Sequence, residues 1–272
     1  MCLPPRRWQG RLLRSGFWVK EQSSVANIVE ALGLSPSGEL VAIVGGGGKS
    51  RLMFELAERL PGRGVITTTT RIFSKQLSSA AEFCTLADAD WPARLDAFES
   101  ALLVVGRVEG ERAVGVAPEL PAEMLAHPRV TWVVVEADGS RMLPVKAPGP
   151  HEPVIPMGTT LLVPVVGIDA LSKPIAEVAH RPERVCAITG LAPEDSLTPA
   201  ALAHLITAPE GGLKNAASAG RTAVLINKVE SASEFATARE IAGQILLDAA
   251  VERVAIGALL GADGTDWLVC TR

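Results

Sequence analysis

Apolar runs of strand length recur along this chain almost without alternation, at 40–44, 102–105, 133–135, 161–166, 223–226 and 254–256. A strand with one face in water alternates apolar and polar residues, whereas a strand that is apolar throughout has to be covered on both faces. Between the runs lie segments such as Leu52, Met53, Leu56, Ala57 and Leu60, whose spacing of three and four marks one face of a helix. Strands alternating with helices and buried on both sides predict an α/β fold, a mostly parallel sheet with helices on both faces. Ser24 reads as the N-cap of a helix that Gly33 stops. Asp90 before Pro92 and Thr198 before Pro199 open two others.

With 272 residues, 48% of them hydrophobic, the chain can bury one large core. The reading is a single domain over 24–272 with a small annex around 141–215, preceded by a basic extension over 1–23. Arg11 and Arg14 interrupt the apolar residues of that start and no small-residue cleavage site follows, so it does not read as a secretory signal. No apolar stretch reaches the roughly 18 residues needed to span a bilayer. A cytoplasmic protein is expected, without a membrane partner. A net charge of −4, with no basic cluster beyond the first stretch, argues against nucleic acid as a partner. Cys2, Cys84, Cys186 and Cys270 are scattered, without a Cys-x-x-Cys pair, so neither a zinc site nor a disulfide framework is expected.

The run at 40–44 ends in "GGGGKS", residues 45–50. Glycine loses more conformational freedom on folding than any other residue, so a row of them implies that something approaches the backbone closely. Ligands of parallel sheets collect beyond the carboxyl ends of the strands, where this loop falls. The amides of Gly45, Gly46, Gly47 and Gly48, the dipole of the following helix and the Lys49 ammonium predict a phosphate cradle. Gly48-Lys49-Ser50 matches the last three residues of a phosphate loop, with Lys49 on the β- and γ-phosphates, the Ser50 hydroxyl on Mg²⁺ and Arg51 in the same helical turn. The first glycine of the usual spacing would fall at Ile43, so the loop is shortened, as it is in Mur-ligase-type ATP-dependent enzymes. The fold expected is therefore P-loop NTPase-like, binding a nucleoside triphosphate, ATP or GTP, with Mg²⁺.

Such a loop needs a carboxylate on a neighbouring strand end for the metal, and "WVVVEADG" offers Glu136 and Asp138. Lys49, Glu136 and Asp138 are the expected catalytic set. Thr68 and Thr69, within the run Thr67–Thr70, supply hydroxyls at another strand end. Asn227 and Lys228 open "NKVE", similar to the Asn-Lys-x-Asp loop that reads guanine, with Glu230 in place of the aspartate. The proline-rich "SRMLPVKAPGPHEPVIP" carries Arg141, Lys146, His151 and Glu152, candidates for contact with a second substrate. Asp169, Lys173, His180 and Arg181 read as structural.

Taken together, the glycine loop, "VITTTTRI", "VVVEADGSRMLPVKAPGPHEPVIP", "VVGIDALSKPI", "HRPERV" and "VLINKVE" resemble the YqeC family of accessory proteins of selenium-dependent molybdenum hydroxylases over about residues 25 to 260. Gly46 and Ser50 stand where relatives commonly carry alanine and threonine. The resemblance implies a role in preparing the molybdenum cofactor or its enzyme, with either of these as partner, and it leaves the reaction open. An NTPase or other nucleotide-using enzyme is the leading expectation. A nucleotide-gated carrier delivering cofactor to an apo-hydroxylase and a Mur-like ligase are the alternatives.

Overall fold

The computed structural model describes the backbone of residues 11–12 and 18–25, and residues 27–259 and 267–272 in full. The rest of the basic start lies outside the described residues. An eleven-stranded sheet forms the centre of the protein. Its strands, besides a short piece at Arg11–Leu12, are β1 (Trp18–Val25), β2 (Glu39–Gly45), β3 (Gly64–Thr68), β4 (Glu82–Thr85), β5 (Ala101–Val105), β6 (Trp132–Glu136), β7 (Leu161–Gly167), β8 (Arg221–Asn227), β9 (Arg253–Ile256) and β10 (Trp267–Thr271). Across the sheet the order is Arg11–Leu12, β1, β10, β9, β8, β7, β2, β6, β3, β5, β4. Every neighbouring pair from β9 to β4 is parallel. Arg11–Leu12, β1 and β10 extend that sheet antiparallel at one edge.

The helices are α1 (Ile28–Leu32), α2 (Lys49–Arg59), α3 (Trp91–Ala97), α4 (Leu120–Leu125), α5 (Ile175–Val178), α6 (Pro182–Thr189), α7 (Pro199–Thr207) and α8 (Ala232–Ile245). Alternate residues of each strand feed opposite layers. Val41, Ile43, Ile66, Leu103, Val134, Val163 and Leu225 pack with Leu52 and Leu56 of α2 and Ile28 of α1. On the other face Leu40, Val65, Leu102 and Val133 meet Leu95 and Met124, from α3 and α4. Val224, Ile226, Val254 and Ile256 meet Leu202 of α7 and Ile241 of α8. This two-sided burial is the physical reason the strands lack alternation. Cys84 belongs to the α3–α4 layer, and burial pushes its thiol up to about 11, as befits a packing residue.

Local corrections follow from the geometry. Asn27, not Ser24, caps α1, its Oδ1 accepting from the Glu30 amide at 3.0 Å, while Ser24 belongs to β1. Asp90 sits at the start of α3 without a side-chain cap bond, whereas Thr198 accepts from the Ala201 amide at 3.2 Å. Two small sheets follow directly on the carboxyl ends of the parallel strands. One is antiparallel, Arg71–Phe73 against Arg112–Val114 against Arg107–Glu109. The other pairs Val145–Lys146 with Ala179–His180. β2 lies between β7 and β6, so loops from both sides gather over its carboxyl end, the glycine loop.

Candidate functional site

The protein itself approaches the glycines. A Cβ on Gly45 would lie 2.3 Å from the Val165 carbonyl oxygen of β7, one on Gly46 2.6 Å from the Leu143 oxygen, one on Gly47 2.3 Å from the Gly167 nitrogen and one on Gly48 2.4 Å from Asn227 Nδ2. Gly45, Gly47 and Gly48 also have φ of +93°, +76° and +137°, backbone that side chains rarely adopt. Three of the amides are already committed. Gly45 donates to both Asp138 oxygens (3.1 and 3.0 Å), Gly46 to the Val165 carbonyl (2.9 Å) and Gly47 to that of Leu143 (3.1 Å). The expectation of four glycine amides facing a ligand is therefore corrected. Of the glycine loop and the first turn of α2, the amides of Gly48, Lys49, Ser50 and Arg51 have no acceptor among the described residues.

Beneath them lies a chain of buried charge. Lys49 donates to the Gly45 carbonyl (2.8 Å) and Ser140 Oγ (3.2 Å) and lies 3.4 Å from Asp138 Oδ1 and 3.7 Å from Glu136 Oε1. Asp138 is only 2% exposed and also pairs with Lys146 at 3.0 Å. Lys146 passes the alternation on to Glu152 (2.7 Å), whose oxygens accept from both terminal nitrogens of Arg181 at 2.7 and 3.0 Å. Glu136 stands apart: its Oε2 accepts from Ser50 Oγ at 2.6 Å. Burial pushes the Glu136 carboxyl above its ordinary range despite the attraction of Lys49 and the Ser50 hydrogen bond.

Glu152 shows the opposite balance. Burial raises its carboxyl, but the hydrogen bonds from Arg181 and Lys146 and the charge of Lys146 together outweigh that and hold it at about 2. A depressed carboxylate stabilises the fold above its unfolded value of 4.5, and that contribution is lost as pH falls through about 2. The drop from 4.5 corresponds to stability on the order of 3 kcal/mol at neutral pH. Urea unfolding of wild type and Glu152→Gln is expected to show a gap of that order at pH 7, closing as acid protonates the wild-type carboxyl.

Above the charge chain opens a cleft of about 860 Å³, lined by Gly47 to Arg51, Glu136, the turn at 139–142, Glu152, residues 180–183, Lys228 and the antiparallel sheet around Arg71, Phe73 and Arg112. Eight lysine and arginine side chains face three glutamates there, in a chain whose net charge is −4. The arrangement is suited to a polyanion.

The sequence model of the family described as YqeC protein matches residues 41–183. A curated relative, "Uncharacterized protein YqeC" of Escherichia coli (strain K12), is 33% identical over 239 residues, covering 85% of this chain and 91% of the relative. The chain belongs to the YqeC family. No solved structure matches it.

Within this YqeC-family member the expected site residues divide. Lys49, Ser50, Arg51, Glu136, Arg141, Glu152 and Lys228 line the cleft with Gly47 and Gly48. Asp138 does not, its oxygens being taken by Gly45, Lys49 and Lys146, so Glu136 is the better placed of the two carboxylates for a metal. Lys146 is buried and held by Asp138 and Glu152 rather than offered to a second substrate, and His151 is exposed away from the cleft lining. Thr68 and Thr69 spend their hydroxyls on the carbonyls of Glu136 and Val154, both at 2.8 Å. Asn227 is a clasp: its Nδ2 donates to the Gly47 carbonyl (2.8 Å) and its Oδ1 accepts from the Leu259 amide (3.0 Å). Arg71, Phe73 and Arg112 escaped sequence reasoning because they meet only through strands three residues long, and Lys75 lies in the short helical turn, Ser74–Ser79, that follows the first of them. No helix of the described residues is long and apolar enough to cross a membrane.

Proposed function

We propose that this protein binds a nucleoside triphosphate with Mg²⁺ at the N-terminus of α2, and that it uses the nucleotide as an enzyme in the maturation of molybdenum hydroxylases, the role the family resemblance implies. The observation that carries the reading is the Ser50–Glu136 hydrogen bond at 2.6 Å on the cleft wall, beside Lys49 and the acceptor-free amides of Gly48 to Arg51.

Those amides and the helix dipole favour the phosphates, and Lys49 exchanges its Gly45 carbonyl for a phosphate oxygen. Ser50 Oγ and Glu136 would hold Mg²⁺, which takes one or two protein oxygens and otherwise keeps water and phosphate. Bound there, the metal neutralises charge on the phosphates. Asp138 positions the loop by accepting from the Gly45 amide and pairing with Lys49, and Lys146 in turn holds Asp138. Phosphoryl transfer demands chiefly positioning and charge neutralisation, which such residues can supply.

Because both ends of the Asn227 amide are engaged, guanine is not favoured over adenine by that residue. Calorimetric titration of ATP, GTP and CTP with Mg²⁺ is expected to give saturable binding for at least one of them. Three flat titrations, with no thermal shift, would end the nucleotide reading. Phosphate release over many turnovers without a partner protein separates an enzyme from a carrier that binds once per nucleotide.

A further inference from the structure

The charge in the cleft exceeds what a triphosphate at α2 requires. Lys49, the helix terminus and Mg²⁺ answer the triphosphate. Arg181 and Lys228 are committed to Glu152 and Asp169. Lys75, Arg112 and Arg141 line the same cleft and have no carboxylate at ion-pair distance among the described residues, while Arg71 has only Glu109 at 3.9 Å.

These side chains are also arranged. The Arg112 guanidinium lies 3.7 Å from the centre of the Phe73 ring, and Lys75 Nζ lies 5.3 Å from it. A stacked guanidinium keeps its in-plane N–H groups for an anion, in the fork geometry that suits phosphate. Arg141 and Met142 have φ of 50° and 64°, two successive non-glycine residues in the left-handed region on the cleft wall. Such strain gathers at ligand-contacting turns. The field is positive enough to act on His180, held below the ordinary histidine range by burial and then by the charges of Arg181, Lys146 and Arg141.

We propose that the antiparallel sheet appended to the cleft carries a second anion site, formed by Arg71, Lys75 and Arg112 around Phe73 together with Arg141, which holds a phosphate-bearing second ligand beside the nucleotide. That it is a second site rests on the nucleotide reading, and it gives the substrate class of that cleft. Of the proline-rich loop to which sequence reasoning assigned the second substrate, the site keeps only Arg141, and its other residues come from the appended sheet and the turn that follows its first strand.

The test uses the full chain with inorganic pyrophosphate as probe, titrated calorimetrically into protein saturated with Mg²⁺ and the triphosphate that binds. Pyrophosphate is expected to bind the loaded protein, and Arg112→Ala to weaken it about tenfold, the loss of one charged hydrogen-bonding group. Nucleotide affinity of that variant should stay within about twofold of wild type, as should pyrophosphate affinity of Lys49→Ala, if the two sites are independent. Arg112 is exposed, so its replacement should leave the fold intact. Pyrophosphate that fails to bind the loaded protein, displaces nucleotide one for one, or ignores Arg112→Ala overturns the second site. Should no nucleotide bind at all, the function proposed above falls. Pyrophosphate binding to the bare chain that needs Arg112 and not Lys49 would still uphold this site, and dependence on Lys49 alone would sink it.

Discussion

Asp138→Asn is expected to lower the unfolding free energy by about 4 kcal/mol, as for a buried ion pair deprived of one partner. The substitution keeps the shape of the side chain and its ability to accept from the Gly45 amide, so it isolates charge. Lys49 and Lys146 both lie within ion-pair distance of this carboxylate, at 3.4 and 3.0 Å, and both ammonium groups are almost wholly buried. Two cations then share Glu136 and Glu152, and the Gly45 amide faces a weaker acceptor. At about 2–4 °C per kcal/mol for a chain of this size, the melting temperature should fall by about 8–16 °C. Urea unfolding at neutral pH gives the free energy directly. A loss below about 1 kcal/mol, the scale of an ordinary surface substitution, would mean that the alternating chain from Lys49 to Arg181 does not hold the loop.

That charge chain also marks where sequence reasoning stops. The parallel sheet was legible because burial on both faces leaves strands without alternation, a property each strand carries locally. The glycine loop was legible for the same reason, and its demand for close approach was read correctly. What approaches was not legible, since it depends on the register that sets Val165 beside Gly45, between strands 120 residues apart. Lys146 looked like a loop cation. Pairing of Val145–Lys146 with Ala179–His180 turns it inward to Asp138, a contact no local pattern announces. The threonines were ambiguous in principle, because a hydroxyl at a strand end serves a carbonyl as well as a ligand. Ser24 and Asn27 are both good caps three residues apart. The choice fell to Asn27 because β1 runs on through Val25 to pair with β10. Arg71 and Arg112 join through strands too short for any periodicity.

Lys49→Ala and Ser50→Ala should fail in different ways, and the difference tests the chemistry assigned to the loop. Lys49 acts on phosphate as a charge, so its removal is expected to weaken triphosphate binding about 100-fold whether Mg²⁺ or EDTA is present, the upper range for a charged hydrogen bond. Ser50 is assigned to the metal alone. Its removal should cost about tenfold with Mg²⁺ and almost nothing in EDTA, so that the variant no longer distinguishes the two conditions. Neither variant empties the site of structure. Without Lys49, Asp138 keeps the Gly45 amide and Lys146; without the Ser50 hydroxyl, Glu136 keeps Lys49 at 3.7 Å. Thermal melts run beside the titrations separate a lost fold from a lost ligand. Should Ser50→Ala respond to Mg²⁺ as wild type does while Lys49→Ala binds unimpaired, the hydroxyl and the ammonium are parts of the scaffold, and the cleft takes its anion elsewhere.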